Sequence, residues 1–362
     1  MDLTIMETEP PEKKPGRISC STRSTRTIHG QSGWRFRTVP TLIGQPIAFF
    51  ILVLLIPSLM QGCERGPAPP LRVGSNVWPG YETLYLARSL GIFASTPIKL
   101  VELPSVTEVT HAFRNGGLEV AALTLDEALA LLQQDTSLRV ILVVDVSNGG
   151  DAVLARPEIT SLAQLKNRRI GVENSAVGAI MLDGLLTTAK LSYSDFTLLP
   201  VTVDEHLAAY RSGKVDAIVT FAPLIGKLLA LGANKIFDSS QIPGRIVDVL
   251  VTRKTVLDNQ KESLKTLLSA YFMALEYRQQ HPDTASRLLA PRLAVPPAEV
   301  WKHYQGLRLP DLAENHRLLA QRDPELQKTA GELAQLMHSR HLLSRPVDTS
   351  QFIDGSLLPA LR

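Results

Sequence analysis

Acidic, amide and aromatic side chains gather just past the ends of short β-rich runs in this chain. After LRVGS (71–75) comes Asn76-Val77-Trp78-Pro79-Gly80-Tyr81. Pro79-Gly80 imposes a turn, so Trp78 and Tyr81 are presented from a loop. Rings placed there stack on a flat ligand or wall off an aliphatic one. After EVAAL (119–123) comes Thr124-Leu125-Asp126-Glu127, which spells a capping box. Capping explains Glu127 without a binding role, whereas Thr124 and Asp126 read equally well as caps or ligand contacts. After RIGV (169–172) comes Glu173-Asn174-Ser175. Asn174 or Ser175 caps the next helix, and the small residues beyond let a ligand approach backbone amides. Thr220 and Phe221 close a fourth run, VDAIVT (215–220), ahead of Pro223. The acidic pairs Asp126/Glu127 and Asp145/Asp151 are candidates for acid–base work, but nothing in the sequence places them together. No GxxxxGK[ST], GxGxxG, HExxH or GxSxG run occurs. His338 and His341, three apart, read as surface positions on a helix rather than as metal ligands.

Alternating elements must position these residues. Runs 71–75, 98–103, 119–123 and 139–145 read as strands, separated by helical patterns at 82–91, 106–116 and 125–134. The cycle restarts with strands at 169–172, 196–200 and 215–220 and helices at 177–189, 204–213 and 223–232. Such alternation implies parallel sheets covered on both faces. From about 255 the pattern is nearly all helical. In sheets of this kind ligands sit beyond the carboxyl ends of strands, near helix N-termini. The restart also reads as an internal repeat. Arg72-Val73-Gly74 recurs as Arg169-Ile170-Gly171, and Ala121–Thr124 as Ala217–Thr220, which makes Thr220 the partner of Thr124 and leads to the expectation that the two face each other across the cleft. Segments 143–155 and 237–252 are the expected crossovers between two lobes, an architecture that closes about a hinge. Gly149-Gly150 suits either a hinge or an ordinary turn.

Cys63 ends a short apolar stretch, Ile47–Ile56 followed by PSLMQGC, and no cysteine comes after it. The stretch is too short to span a bilayer, which needs about 20 residues, and fits the core of an export signal, about 7–15 residues. Basic Arg35 and Arg37, small Gly62 and the Pro-rich ERGPAPP beyond make Cys63 the expected lipidation site. The motif resembles a bacterial lipoprotein signal, although Met60 stands where Leu is usual. Residues 1–62 are then leader and 63–70 a tether. The chain carries 38 basic and 35 acidic residues. Seven of the former and four of the latter fall in 1–62, so the remainder is balanced at 31 of each. A neutral body gives no electrostatic case for nucleic acid. With no second cysteine beyond Cys63, no disulfide forms within the mature chain. About 300 residues suffice for two lobes.

The runs NVWPGYETLYLARSLGIF, EVAALTLDEALALL, SLAQLKNRRIGVENSAVGA and RSGKVDAIVTFAPL resemble the nitrate/sulfonate/taurine-type substrate-binding proteins of ABC transporters, and relatives that bind pyrimidine precursors of thiamine. The resemblance covers roughly 71–320. It implies an α/β, two-lobed periplasmic binding fold of type II, with parallel-rich sheets, two crossovers and a helical C-terminal region. Lobe 1 is expected at 71–148 and 246–320, lobe 2 at 149–245, and a helical extension at 321–362. It implies a non-enzymatic, monomeric solute-binding lipoprotein outside the cytoplasmic membrane. Its partners would be a small-molecule ligand, an ABC permease and a separate ATPase, with no cofactor or metal. The alternatives are an enzyme on the same fold, such as a lyase or precursor synthase, and a solute sensor. Carried over by position, the cleft loops fall on Asn76–Tyr81, Thr124–Asp126, Asn174–Ser175 and Thr220–Phe221, with Asp145 and Asp248 near the crossovers. These positions hold acids and no Lys or Arg, which leans toward a neutral or cationic ligand, a heterocycle among them.

Overall fold

The computed structural model describes residues 69–322 and 324–361. These lie in the second of two compact units into which the chain divides, 1–65 and 66–362. The leader, Cys63 and most of the tether lie outside the described residues. No described helix is long and apolar enough to cross a membrane.

The chain begins β1 (Leu71–Ser75), α1 (Glu82–Ser89), β2 (Ile98–Glu102), α2 (Val106–Arg114), β3 (Val120–Thr124), α3 (Leu125–Leu132) and β4 (Leu138–Ser147). It then crosses into β5 (Asp151–Ala155), β6 (Arg169–Val172), α4 (Ala176–Ala189), β7 (Thr197–Pro200), α5 (His206–Arg211), β8 (Ala217–Phe221), α6 (Leu224–Leu229) and β9 (Asn234–Asp238). It returns through β10 (Val247–Arg253) to α7 (Lys254–Asn259), α8 (Lys261–Gln280), α9 (Pro282–Leu293), β11 (Leu307–Arg308), α10 (Leu312–Leu319) and α11 (Glu325–Ser339). The strand orders are β11-β4-β10-β3-β1-β2 and β7-β6-β8-β5-β9. This is the two-lobed α/β arrangement with two crossovers.

The sheets are mixed rather than wholly parallel. β2-β1-β3 and β7-β6-β8 are parallel, because a helix intervenes at each step. β10 joins β3 and β4 antiparallel, and β5 joins β8 and β9 antiparallel. Each of these two strands arrives from the other lobe without a packing helix, so it enters its sheet from the cleft end.

The internal repeat is physical. In lobe 1 the Arg72 backbone N–H and guanidinium both bond to Glu119, at 2.8 and 2.5 Å. In lobe 2 Arg169 treats Asp216 the same way, at 2.9 and 2.7 Å. Both pairs pin the start of a strand to the turn before its neighbour. Register corrects the repeat by one residue. Val73 pairs with Val120, and its counterpart Ile170 pairs with Ala217. The last residue of β8, equivalent to Thr124, is therefore Phe221 and not Thr220. In a strand a slip of one residue sends the side chain to the other face.

The C-terminal region is less helical than its pattern suggests, since Leu307–Arg308 is a strand and, among the described residues, no helix follows Ser339. Both departures cover the outer edge of β4. β11 pairs at Val146–Ser147. The Asn315 carboxamide accepts from Val143 N at 2.9 Å and donates to Val143 O at 3.1 Å. Ile353 bridges Val140, whose N–H donates to Phe352 O at 2.8 Å. An exposed strand edge is a template for unwanted pairing, and this one is occupied along its length. Leu318, Leu333, Met337 and Phe352 join the apolar core that also holds Leu129 of α3 and Ile180 of α4.

Candidate functional site

A small cavity lies where the strand ends of the two sheets meet. Asn76, Trp78, Tyr81, Val106, Thr124, Glu127 and Asp248 line it from lobe 1, and Asp151, Val177 and Phe221 from lobe 2. It encloses only about 30 Å³, room for about two waters. Organic-ligand pockets run to about 300–1,000 Å³, so this is the closed form of a cleft.

Lobe 1 builds its wall from one hydrogen-bonded unit. Trp78 is 4% exposed and its indole Nε1 donates to Asp145 Oδ2 at 2.8 Å. Tyr81 donates its hydroxyl to Asp248. Asp145 and Asp248 are cross-strand partners on β4 and β10. Gly80 is required between the two rings, because a Cβ there would stand 1.7 Å from Asp145 Oδ2. Thr124 donates its backbone N–H to Glu127 Oε2 at 3.0 Å, so the capping contact from Glu127 is present. The other Glu127 oxygen has no partner, although the residue is buried.

Beside the cavity, two contacts cross between the lobes. The Phe221 ring meets Trp78 edge-to-face, with centroids 5.4 Å apart. Glu173, past the end of β6, accepts from Thr107 N at 3.1 Å and Thr107 Oγ1 at 2.7 Å. Thr107 lies in the first turn of α2, where exposed N–H groups and the helix dipole favour an anion. Behind the cleft Ser239 joins the two crossovers: its Oγ meets Ser147 Oγ at 2.8 Å and accepts from Gly149 N at 2.6 Å. Gly149 has φ +112°, a conformation open in practice to glycine. The Gly-Gly pair and the Ser239 tie thus meet at the first crossover.

The electrostatics are one-sided. Burial pushes the carboxyls of Asp126 and Asp145 up to about 7 and that of Asp151 up to about 6. Asp248 and Glu127 are raised well above the usual range, by burial first and then by the neighbouring Asp145 and Asp126 charges. Arg278 of α8 offsets Asp145 in small part. Among the described residues no Lys, Arg or His lines the cavity, and no group of three or more His, Cys, Asp or Glu is placed to hold a metal.

The structure gathers six of the sequence candidates around the cavity: Asn76, Trp78, Tyr81, Thr124, Asp248 and Phe221. Asp145 lies behind the wall and holds Trp78, while Asp126 is wholly buried. Asn174 and Ser175 line a neighbouring groove with Thr107 and Arg114. The Ser175 hydroxyl caps α4 by accepting from Gly178 N at 3.3 Å. Thr220 is on the other face of β8, where its hydroxyl meets His206 Nδ1 at 3.0 Å. Burial holds that imidazole down to about 4. Thr124 and Thr220 therefore do not face each other. Glu127 and Asp151 also line the cavity; the sequence marks them only as members of acidic pairs, not as ligand contacts. Glu127 was hidden by its capping role. Asp151 carries one signal, an acid at the first position of a strand directly after Gly-Gly.

Two α/β lobes, crossed twice and closing on a cleft at their strand ends, define the fold of the periplasmic binding proteins. Residues 78–285 match the family model described as NMT1/THI5 like, and the chain belongs to the NMT1/THI5-like family. Curated relatives from Brucella abortus and Brucella suis, described as binding proteins, are 25% identical over 246 residues, 64% of this chain and 74% of theirs. Solved structures agree in fold. The alkanesulfonate-binding protein SsuA from Xanthomonas axonopodis pv. citri, bound to MOPS, is 18% identical with TM-score 0.65, over 77% of this chain and 96% of that one. The ligand-binding component of an ABC-type import system from Staphylococcus aureus is 14% identical with TM-score 0.67, over 80% and 98%. The desulfurization enzyme DSZB is 20% identical with TM-score 0.58, over 80% and 97%.

Proposed function

We propose that this protein is an extracytoplasmic solute-binding lipoprotein. It captures a small organic molecule in the cleft between its lobes and delivers it to an ABC importer, a membrane permease with its own ATPase. The observation that carries this is the closed cleft itself: ring and carboxylate contacts from both lobes meet over it, and both crossovers are tied at one serine. A cavity of about 30 Å³ must open to admit an organic solute, and the Gly149 crossover supplies the pivot. Binding-protein relatives and the ABC import component of the same fold support this role. The sulfonates in the neighbours' names do not transfer to this cleft, whose lining residues differ in charge from what an anion requires.

The DSZB likeness keeps an enzyme on this fold as the second reading. Among the described residues the cavity lining offers no Cys, Ser or Lys as nucleophile. The distinguishing experiment is a thermal-shift screen of small organic compounds, with the best one incubated and its mass followed. A ligand that binds only the native state stabilises it by RT ln(1 + [L]/Kd). Stabilisation with the compound recovered intact supports capture; turnover supports the enzyme. Anchoring is tested separately. Cys63→Ser should move the protein from the membrane fraction to a soluble or unprocessed form, and identical fractionation without lipid on the wild type refutes the anchor.

A further inference from the structure

The cleft offers two carboxylate oxygens with nothing to receive. Glu127 and Asp151, one from each lobe, both line the cavity and both are only 5% exposed. Glu127 Oε1 and Asp151 Oδ2 have no hydrogen-bond partner. A buried carboxylate oxygen left unpaired is costly, because it has lost its water and gained no donor in return. Asp248 lines the same cavity, and there its partner is the Tyr81 hydroxyl, which brings a donor but no positive charge. Among the described residues the lining contains no cation. The remaining wall is flat and apolar: Trp78, Phe221, Val106 and Val177. An anion placed here would meet carboxyl oxygens from both lobes and no cation.

We infer that the cleft selects an organic cation, a protonated amine or amidine whose N–H groups reach Glu127 and Asp151 while its flat or apolar body lies against Trp78 and Phe221. The inference rests on the cleft being a solute site. Its logic is that of charge-assisted pairing: a cation with several N–H donors satisfies both orphaned oxygens at once, and such bonds are stronger than neutral ones. Because one carboxylate comes from each lobe, the same cation bridges them and favours closure around itself, in a cavity wider than the unliganded one of about 30 Å³. A ligand that contacts both lobes shifts the open–closed equilibrium by its differential affinity for the closed one.

The test uses three probes of one shape and different charge: benzamidinium, neutral benzamide and benzenesulfonate. Each is titrated into the purified protein by calorimetry and by thermal shift, slightly above neutral pH. Benzamidinium is expected to bind and raise Tm, benzamide to bind at least about tenfold more weakly, and benzenesulfonate to leave Tm unchanged. Asp151→Asn and Glu127→Gln keep shape, and each removes one carboxyl that can ionise against the cation. Losing one partner of a buried, hydrogen-bonded charge pair should weaken benzamidinium by at least about 30-fold. If either variant folds poorly, the wild-type ranking of the three probes decides alone. The inference is overturned if benzenesulfonate binds as well as benzamidinium, if benzamidinium has no effect, or if its affinity survives in both folded variants. In each of these cases capture of some other solute still stands. Only a screen across cationic, neutral and anionic compounds with no stabilising member counts against the solute site itself.

Discussion

Asp151 illustrates how burial stores a measurable pH dependence in one side chain. Its carboxyl is raised from 3.8 to about 6 in the folded protein, chiefly by loss of water. The folded state therefore holds this proton where the unfolded state has released it. Stability contributed by the protonated form is complete below about pH 4 and falls as pH rises toward about 6. Each pKa unit is about 1.4 kcal/mol, so the loss is about 3 kcal/mol. Asp151→Asn has no such proton to lose. Urea unfolding of both proteins should show the variant gaining on the wild type by about that amount between pH 4 and about 7. A difference that stays flat across this window contradicts the burial account. Trp78 belongs at the same scale. Its near-complete burial and its bond to Asp145 give Trp78→Ala the stability cost of a core aromatic, about 3–5 kcal/mol, more than a loop position suggests, because the turn itself is buried. Ligand affinity of the folded fraction should also fall by about 30-fold or more, and unaltered affinity would make the ring a core residue only. The sequence shows why these residues differ in legibility. Pro79-Gly80 announces a loop, so Trp78 and Tyr81 stand out. Glu127 satisfies a local motif completely with one oxygen, and no local pattern reveals that the second faces a cavity.

At the scale of elements, alternation made both sheets readable, because Gly and Pro punctuate short Val/Ile-rich runs and 3.6-period helices. Register was not readable. The letters of the repeat align Thr124 with Thr220, yet hydrogen bonding aligns Thr124 with Phe221, and only the ladder decides between them. The same holds for β5 and β10, whose antiparallel entry depends on the opposite lobe. Two contacts between elements invite tests. Gly80→Ala drives a methyl into Asp145, and overpacking of this kind costs about 1–3 kcal/mol. Chemical denaturation with less than about 0.5 kcal/mol lost would show that the turn is not pressed against β4. Thr107→Val removes one hydroxyl that Glu173 receives across the cleft. A net hydrogen bond is worth about 1 kcal/mol, so closure weakens and apparent ligand affinity should drop about fivefold. Affinity equal to wild type would place this contact outside the closing motion.

For the whole molecule, two similar lobes share a pair of crossovers and meet at a cleft whose innermost cavity, about 30 Å³, is too small for an organic solute. The paired Arg72–Glu119 and Arg169–Asp216 anchors stiffen each lobe at equivalent points, and Gly149 lies between them in the crossover. The two-lobed plan follows from the sequence because a repeat of strand–helix units demands two sheets. The closed cleft does not, since it depends on contacts such as Trp78 with Phe221 that join residues far apart in the chain. Small-angle scattering of the purified protein, with and without a saturating ligand from the thermal-shift screen, tests the central claim that solute is captured by closure. Ligand should shrink the radius of gyration as the open population is drawn into the closed form, and an unchanged radius at saturation would contradict it.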